Sequence, residues 1–558
     1  MFLLTPDRAR CERSLSKLRS ALGELARGPV TTMPAGESWL GWFPARRSDN
    51  LHVFSDAIVV GKLTPGEPES REPIPHREKA PASVHPLAPA ARVEASGGRV
   101  RVTPYHATNV FADRDSASDM QLLIADAKGY RPSAEGVALL GAAGYFPADL
   151  TLFSEISRIP LFHSLELGTG ARVRVGRFES RRADDEAFID RLVSIVPTAS
   201  GHPAALAISG GCDSRFILGV LLKAGVRPAL VRLSDAEDAA AAELAAEMKL
   251  PLTVVRDPAE DPPPLRYTLM TDAQIYFRGG HYGRIREGVA PGSLYYTGLY
   301  ANATLKNALR AAWKVPRASR DMTARLIEHG LLGRMRSSEP GLRTANGKDA
   351  MRRFLREHLE AAPAHGPFTS SKELAGWFYH LHKATRWVPA HIGDLSFYVE
   401  PVNLLADLGA LQLANRSSAW TNFGNDRVRR LTERLLPGLS TAYGTGQPRL
   451  PRRGPRGAFD KLVYEYGSRA LVYLRDRQVP SSAPSLHVTP AVASQEESRG
   501  FREYFDRPFG DLARGTTAST SVRRAAVTVN SALLYLSGVV RDAGAGVDEA
   551  SLSIGGAR

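Results

Sequence analysis

From position 184 onward, the spacing of apolar residues switches repeatedly between helical and extended periods. DDEAFIDRLVSIV (184–196) carries an amphipathic helical pattern. An unbroken apolar run follows at 205–208, as expected of a buried strand, and 214–224 returns to a helical period. Strands are predicted at 229–233, 252–255 and 293–297, with a helix at 239–248 and a further helical region before the last strand. Strands and helices alternating with short connections predict an α/β unit built on a doubly wound parallel sheet. Beyond about 300 the pattern is mostly helical, and the end of the chain, 541–558, predicts a disordered tail.

The first 180 residues follow another rhythm. Short β-like runs occur in LHVFSDAIVVG (51–61) and GRVRVTPYHATNVFAD (98–113), and a helix is predicted at 133–142. SLELGTGARVRVGRF (164–178) predicts a hairpin with Gly168 and Gly170 at its turn. Between the first two runs lies PGEPESREPIPHREKAPASVHPLAPAARVEASGG (65–98). Its Pro-, Glu- and Ala-rich composition predicts a long mobile insertion. The expected organisation is a β-rich domain at 1–183 and an α/β domain with a helical C-terminal part at 184–540.

The junction of the 205–208 strand with the next helix reads SGGCDS, Ser209 to Ser214. In open parallel sheets, ligands bind at the carboxyl ends of strands, where helix N-termini converge. Gly210 and Gly211 allow a close backbone approach, Ser209 and Ser214 supply hydroxyls, and the helix adds a positive dipole end. Together they make an anion cradle of phosphate size. The loop has neither the lysine of a Walker loop nor the G-x-G-x-x-G spacing of a dinucleotide fingerprint. Asp213 beside a phosphate is repulsive unless a metal lies between them, and Mg²⁺ shared by a carboxylate and phosphate oxygens meets that need. The alternative is that Asp213 and Ser214 merely cap the helix.

Composition adds limits rather than a function. The chain has 558 residues, too many for one core, and is 43% hydrophobic and 23% charged, an ordinary globular balance. No apolar run reaches membrane-spanning length, and the N-terminus lacks a signal-peptide h-region, so a cytoplasmic location is expected. Two cysteines, Cys11 and Cys212, exclude a disulfide framework or a cysteine-rich metal site. The formal charge of +14 favours anionic partners such as nucleotides or an acidic peptide, but no nucleic-acid-binding module accompanies it.

SGGCDS resembles the pyrophosphate loop of N-type ATP pyrophosphatases, and the sequence around it resembles the asparagine synthetase family. LSDAEDAAAAELAAEMKLPLTVV (233–255) is similar to the family's second strand and helix, which Asp238 would open. GYFPADLTLFSEISRIPLFHSLEL (144–167) is similar to the end of its N-terminal, glutaminase-like, Ntn-type α+β domain. The resemblance implies activation of a carboxylate by ATP as an acyl-adenylate, followed by attack of an amine. It implies that Gly210, Gly211, Ser209 and Ser214 hold the phosphates and that Asp213 binds Mg²⁺. Backbone at Leu206, Ala207, Ile208 and Leu233 would accept adenine and ribose. Glutamine-dependent members carry a cysteine after the initiator Met; here Phe2 follows Met1 and Cys11 is internal, so glutaminase activity is expected to be absent.

Other family motifs are altered. In TGLYANATLK, Thr297 and Gly298 match a phosphate-side run, Asn302 stands where a second metal-binding Asp is usual, and Tyr300 beside Leu299 is the candidate for its catalytic position. In SFYVEPVNLLADLGALQLA (396–414), which resembles the wall of the acceptor pocket, Asn403 stands at an Asp position. Glu400, next to Pro401, is a candidate base for the attacking amine or a surface carboxylate. A cation neutralising the reacting phosphate would come from Lys461, Arg449, Arg452 or Arg453, in a run that is otherwise a solvated basic loop. Cys212 is not expected to be a nucleophile. His281 is expected to be structural, Arg215 reaches a phosphate or water, and Arg386 with Trp387 packs a helix.

The chain is similar to lasso-peptide cyclases in three features: Phe2, the S-G-G-x-D-S-R loop and the degenerate second motif. That implies adenylation of a peptide Asp or Glu side chain and closure of a macrolactam by the peptide's N-terminal amine. ATP and Mg²⁺ would be required, and a precursor peptide, a leader-binding element and a leader peptidase are the implied partners. A β-lactam-synthetase-like or other small-molecule amide synthetase is the alternative. A non-catalytic protein that holds nucleotide or a partner is the second.

Overall fold

The structure is a computed structural model. It describes residues 1–275 apart from short stretches (48, 64, 66–69, 77, 82–89, 97–98, 105–107, 180–183, 199–201, 209–210, 234–237 and 256–263), then 285–305, 356–357, 359–360, 368, 371–380, 384–415, 426–437 and 520–537.

Strands of the first half are β1 (Phe2–Thr5), β2 (Thr31–Ala35), β3 (Ser38–Trp42), β4 (Leu51–Val53), β5 (Ile58–Gly61), β6 (Ile74–Pro75), β7 (Ala90–Ser96), β8 (Arg99–Pro104), β9 (Phe111–Ala112), β10 (Ala117–Ser118), β11 (Ser157–Arg158), β12 (His163–Glu166) and β13 (Ala171–Arg174). They form two sheets, ordered β11-β9-β10-β1-β3-β2 and β13-β12-β8-β7-β5-β4-β6. Strand β1 shows why the sheets stack. Its alternate residues Phe2 and Leu4 enter a core shared with Val60, Val93 and Val102 of the second sheet. Leu3, on the other face, joins Leu15 and Leu18 of helix Arg8–Leu22. A period of two thus gives one strand two different cores.

The second half centres on β14 (Ala204–Ala207), β15 (Ala229–Leu233), β16 (Leu252–Val255), β17 (Leu294–Tyr296) and β18 (Glu400–Val402). The order is β16-β15-β14-β17-β18, and every pair is parallel. Leu206, Leu230, Leu294 and Tyr296 pack on one face with Phe216 and Val220 of helix Cys212–Lys223. Ala205, Val231, Val255 and Tyr295 pack on the other with Ile285 and Leu395. Burial on both faces explains the unbroken apolar runs.

The chain is therefore a mixed α/β protein with several sheets, one of them parallel. No helix among the described residues is long and apolar enough to cross a membrane. The predicted hairpin forms as β12 and β13, with Gly168 at φ 84° and Gly170 at φ 72° in its turn. The predicted helices at 184–196 and 133–142 form as Asp185–Ser194 and Ala134–Ala143.

Three strands depart from expectation. β6, inside the run read as a mobile insertion, pairs with β4 at the edge of its sheet. β7 lies inside the run read as a mobile insertion, yet it is an interior strand, paired with β5 and β8. Its own stretch, ARVEAS, alternates apolar and polar residues within a proline-rich surround. β18, in a region read as mostly helical, completes the parallel sheet. It contains Pro401, which is tolerated because β18 ends the strand order. The tail at 541–558 lies outside the described residues.

Candidate functional site

The chain leaves β14 in the middle of the parallel sheet, builds β15 and β16 to one side, and returns to lay β17 on the other. The carboxyl ends of β14 and β17 are thus the switch point of the sheet, where connections diverge and leave a crevice. The segment that follows β14 is the glycine loop. Ile208 donates its N–H to the Val231 carbonyl at 2.9 Å, so the backbone stays in the sheet up to the loop. Arg232, buried at 4% exposure, donates to the Ile208 carbonyl at 3.3 Å. A charged residue inside the apolar run ALVRL was the signal for this tie, and sequence reasoning passed over it.

Helix Cys212–Lys223 begins with Gly211 as its N-cap, and no side-chain hydrogen bond caps it. Elsewhere caps are present: Asp7, Ser133 and Asp184 each accept from a first-turn N–H, at 3.0, 3.0 and 2.8 Å. Asp213 and Ser214 lie inside the helix rather than at its cap, which corrects the capping alternative. The Ser214 hydroxyl donates to the Gly211 carbonyl at 3.4 Å, and Arg215 donates to the same oxygen at 3.3 Å. Arg215 is 2% exposed, so it turns back on the loop rather than out to water.

Gly298 follows β17 and packs against this helix start. A Cβ on Gly298 would lie 3.4 Å from Asp213 Cβ and 3.5 Å from the Ser214 nitrogen. Thr297, just before it, donates its N–H to Val402 at 3.1 Å. The two motifs, 84 positions apart at Ser214 and Gly298, therefore meet. Among the described residues no group of three or more His, Cys, Asp or Glu could by itself cage a metal. One carboxylate, Asp213, with hydroxyl neighbours fits a hard cation that also takes phosphate oxygens.

The remaining candidates are dispersed. Leu206 and Ala207 are in β14, Ile208 follows it, and the side chain of Leu233 at the end of β15 is outside the described set, as is that of Asn302 in helix Ala301–Thr304. Ser209, Gly210, His281, Arg449, Arg452, Arg453 and Lys461 also lie outside it. Tyr300 has φ 75° and is buried beside Arg158, and burial pushes its hydroxyl well above the ordinary range. Glu400 opens β18, at the amino end of the parallel strands, and its carboxylate meets Lys62 at 2.7 Å. The structure therefore does not bring Glu400 to the glycine loop.

Cys11 is buried against the Leu3 carbonyl, and burial pushes its thiol up to about 12. Arg386 reaches across to the first half and donates to the carbonyls of Phe146 at 3.0 Å and Leu150 at 2.7 Å. No protein-family model matches the chain, and no curated protein matches it either.

Proposed function

We propose that the chain is an ATP-dependent, AMP-forming carbon–nitrogen ligase that activates a peptide Asp or Glu side-chain carboxylate and closes a macrolactam with the peptide's own N-terminal amine. The supporting observation is the meeting of Gly298 with Asp213 and Ser214 at the switch point of the parallel sheet. In this reading the loop amides, with Ser209 and Ser214, hold the phosphates of ATP. Asp213 holds Mg²⁺, which offsets phosphate charge. A substrate carboxylate oxygen bonds to the α-phosphorus as pyrophosphate leaves. The amine then bonds to the acyl carbon, loses a proton, and AMP leaves. Holding both ends of one molecule makes the second step intramolecular, which removes much of its entropic barrier. Glu400, at the far end of the sheet, takes no part. Lys461 remains the proposed cation at the reacting phosphate. The N-terminal β-rich half is proposed as a glutaminase-like scaffold without glutaminase chemistry.

The test is turnover with a candidate precursor peptide and Mg-ATP. AMP and a product lighter than the peptide by one water are expected, and ADP would reject the assignment. Asp213→Ala should reduce turnover at least 100-fold while its thermal unfolding stays near that of the unaltered protein. Retained activity in that variant would remove the metal role.

A further inference from the structure

Beside the loop, at the carboxyl ends of β17 and β18, two polar side chains are enclosed without a bond among the described residues. Thr297 is 5% exposed and Asn403 is 7% exposed. Among the described residues, the Thr297 hydroxyl and both the oxygen and nitrogen of the Asn403 carboxamide have no hydrogen-bond partner. The register pairs Tyr296 with Val402, so the next residues on each strand, Thr297 and Asn403, stand side by side. Asn403 precedes the short turn Leu404–Ala406, where an Asn side chain ordinarily caps, yet it makes no cap bond. Buried polar groups in native proteins are nearly always bonded, to protein, water or a ligand. Adjacent unbonded groups at the strand ends, beside Gly298 and the Asp213 helix start, are accounted for by a ligand that supplies their partners.

The chemistry of the two groups narrows that ligand. A carboxamide offers one acceptor oxygen and two N–H donors, and a hydroxyl offers one of each. Neither carries charge. A free ammonium or carboxylate enclosed here would lack an opposite charge from these two groups, and an unpaired charge is costly to bury. The N–H and C=O of one substrate residue, which face the same side of an extended backbone, match the carboxamide with two hydrogen bonds and leave its second donor or the hydroxyl for a neighbouring group.

We infer that Thr297 and Asn403 form a subsite for the backbone N–H and C=O of one substrate residue, and that this subsite makes the chain prefer a carboxylate carried on a peptide to the same carboxylate on a free amino acid. The inference rests on the ligase reading and names its substrate class.

Two probes separate the ideas: N-acetyl-aspartyl-N-methylamide, which has two peptide groups, and free aspartate, which has charged ends. Their binding to the full chain with Mg-ATP is measured by equilibrium dialysis, and pyrophosphate exchange is measured in parallel. The blocked derivative should bind at least tenfold more tightly than free aspartate. Asn403→Asp, nearly isosteric but charged, should reverse or abolish that ratio, while ATP affinity changes less than twofold. Thr297→Val should weaken the blocked probe about fivefold, and Thr297→Ser should restore it. Failure of the blocked probe to bind, equal binding of both, or an unchanged ratio in Asn403→Asp overturns the subsite. Selective binding of the blocked probe without pyrophosphate exchange sustains the subsite and overturns the ligase reading instead.

Discussion

Single buried charges are where this chain hides most from a reader of its sequence. Asp394, in helix Thr385–Leu395, is 2% exposed, and burial alone lifts its carboxyl to about 7 from an ordinary 3.8. The folded chain then keeps a proton that the unfolded chain gives up between those values. The stability this group contributes is full below about pH 4 and is lost as pH rises through 7. Asp394→Asn, which cannot ionise, should therefore gain on the unaltered protein as pH rises from 4 to 7, reaching roughly 2–4 kcal/mol and staying level above. Urea unfolding at pH 4.5 and pH 8 measures the gap, and a gap independent of pH would show that the carboxyl titrates normally. Nothing in GDLSF marks this aspartate as buried, because its surroundings come from distant segments. Arg215, Arg232 and Arg386 were illegible for the same reason: an arginine reads as surface until its carbonyl partners are known. Glycines were more legible. Gly211 caps the helix that follows β14, and Gly298, just past β17, faces the first turn of that helix.

At the scale of elements, legibility followed local periodicity. β15 and β16 have the boundaries expected, 229–233 and 252–255, because each is an apolar run with helices on either side. β18 was missed because three residues, one of them proline, carry no period; pairing with β17 alone makes them a strand. β7 was missed because composition was averaged over a window longer than the strand itself. The helix after the glycine loop holds its direction by packing on helix Asp426–Leu435, and Gly219 is the contact. A Cβ at Gly219 would sit 2.7 Å from Leu435 Cβ and 3.3 Å from Leu436 Cγ. Alanine is the better helix former by about 1 kcal/mol, so propensity argues for stabilisation. Overlap with a neighbouring helix argues against it, and such overpacking costs about 1–3 kcal/mol. We expect Gly219→Ala to destabilise by up to about 2 kcal/mol, the difference between the two effects. A rise in the denaturant midpoint would show that the helices separate freely.

The two halves share one apolar core, which runs from Leu15 and Leu122 through Phe216 to Val529. Polar ties cross the same boundary. Asp272 accepts from the N–H groups of Gln121 at 2.8 Å and Leu122 at 3.0 Å, so a residue of the second half serves the start of helix Gln121–Lys128 in the first. Gln121 returns a bond from its side chain to the Asp272 carbonyl at 2.6 Å, and Asn109 donates to Gln274 at 2.7 Å. Helix Thr520–Leu536 packs on both Ala134–Ala143 and Pro264–Met270, binding the far end of the chain to each half. A boundary this well bonded predicts that the halves unfold together rather than in sequence. Asp272→Gly tests the point cleanly: glycine keeps the backbone at φ 53° without strain and removes both acceptor oxygens. Two first-turn donors left enclosed should cost roughly 2–3 kcal/mol. Hydrogen exchange would then show protection falling by a similar factor in Gln121–Lys128 and in Pro264–Met270, since either can open only when the other does. Loss confined to Gln121–Lys128 would mean that the first half opens alone, and that Asp272 caps a helix without joining the two sides.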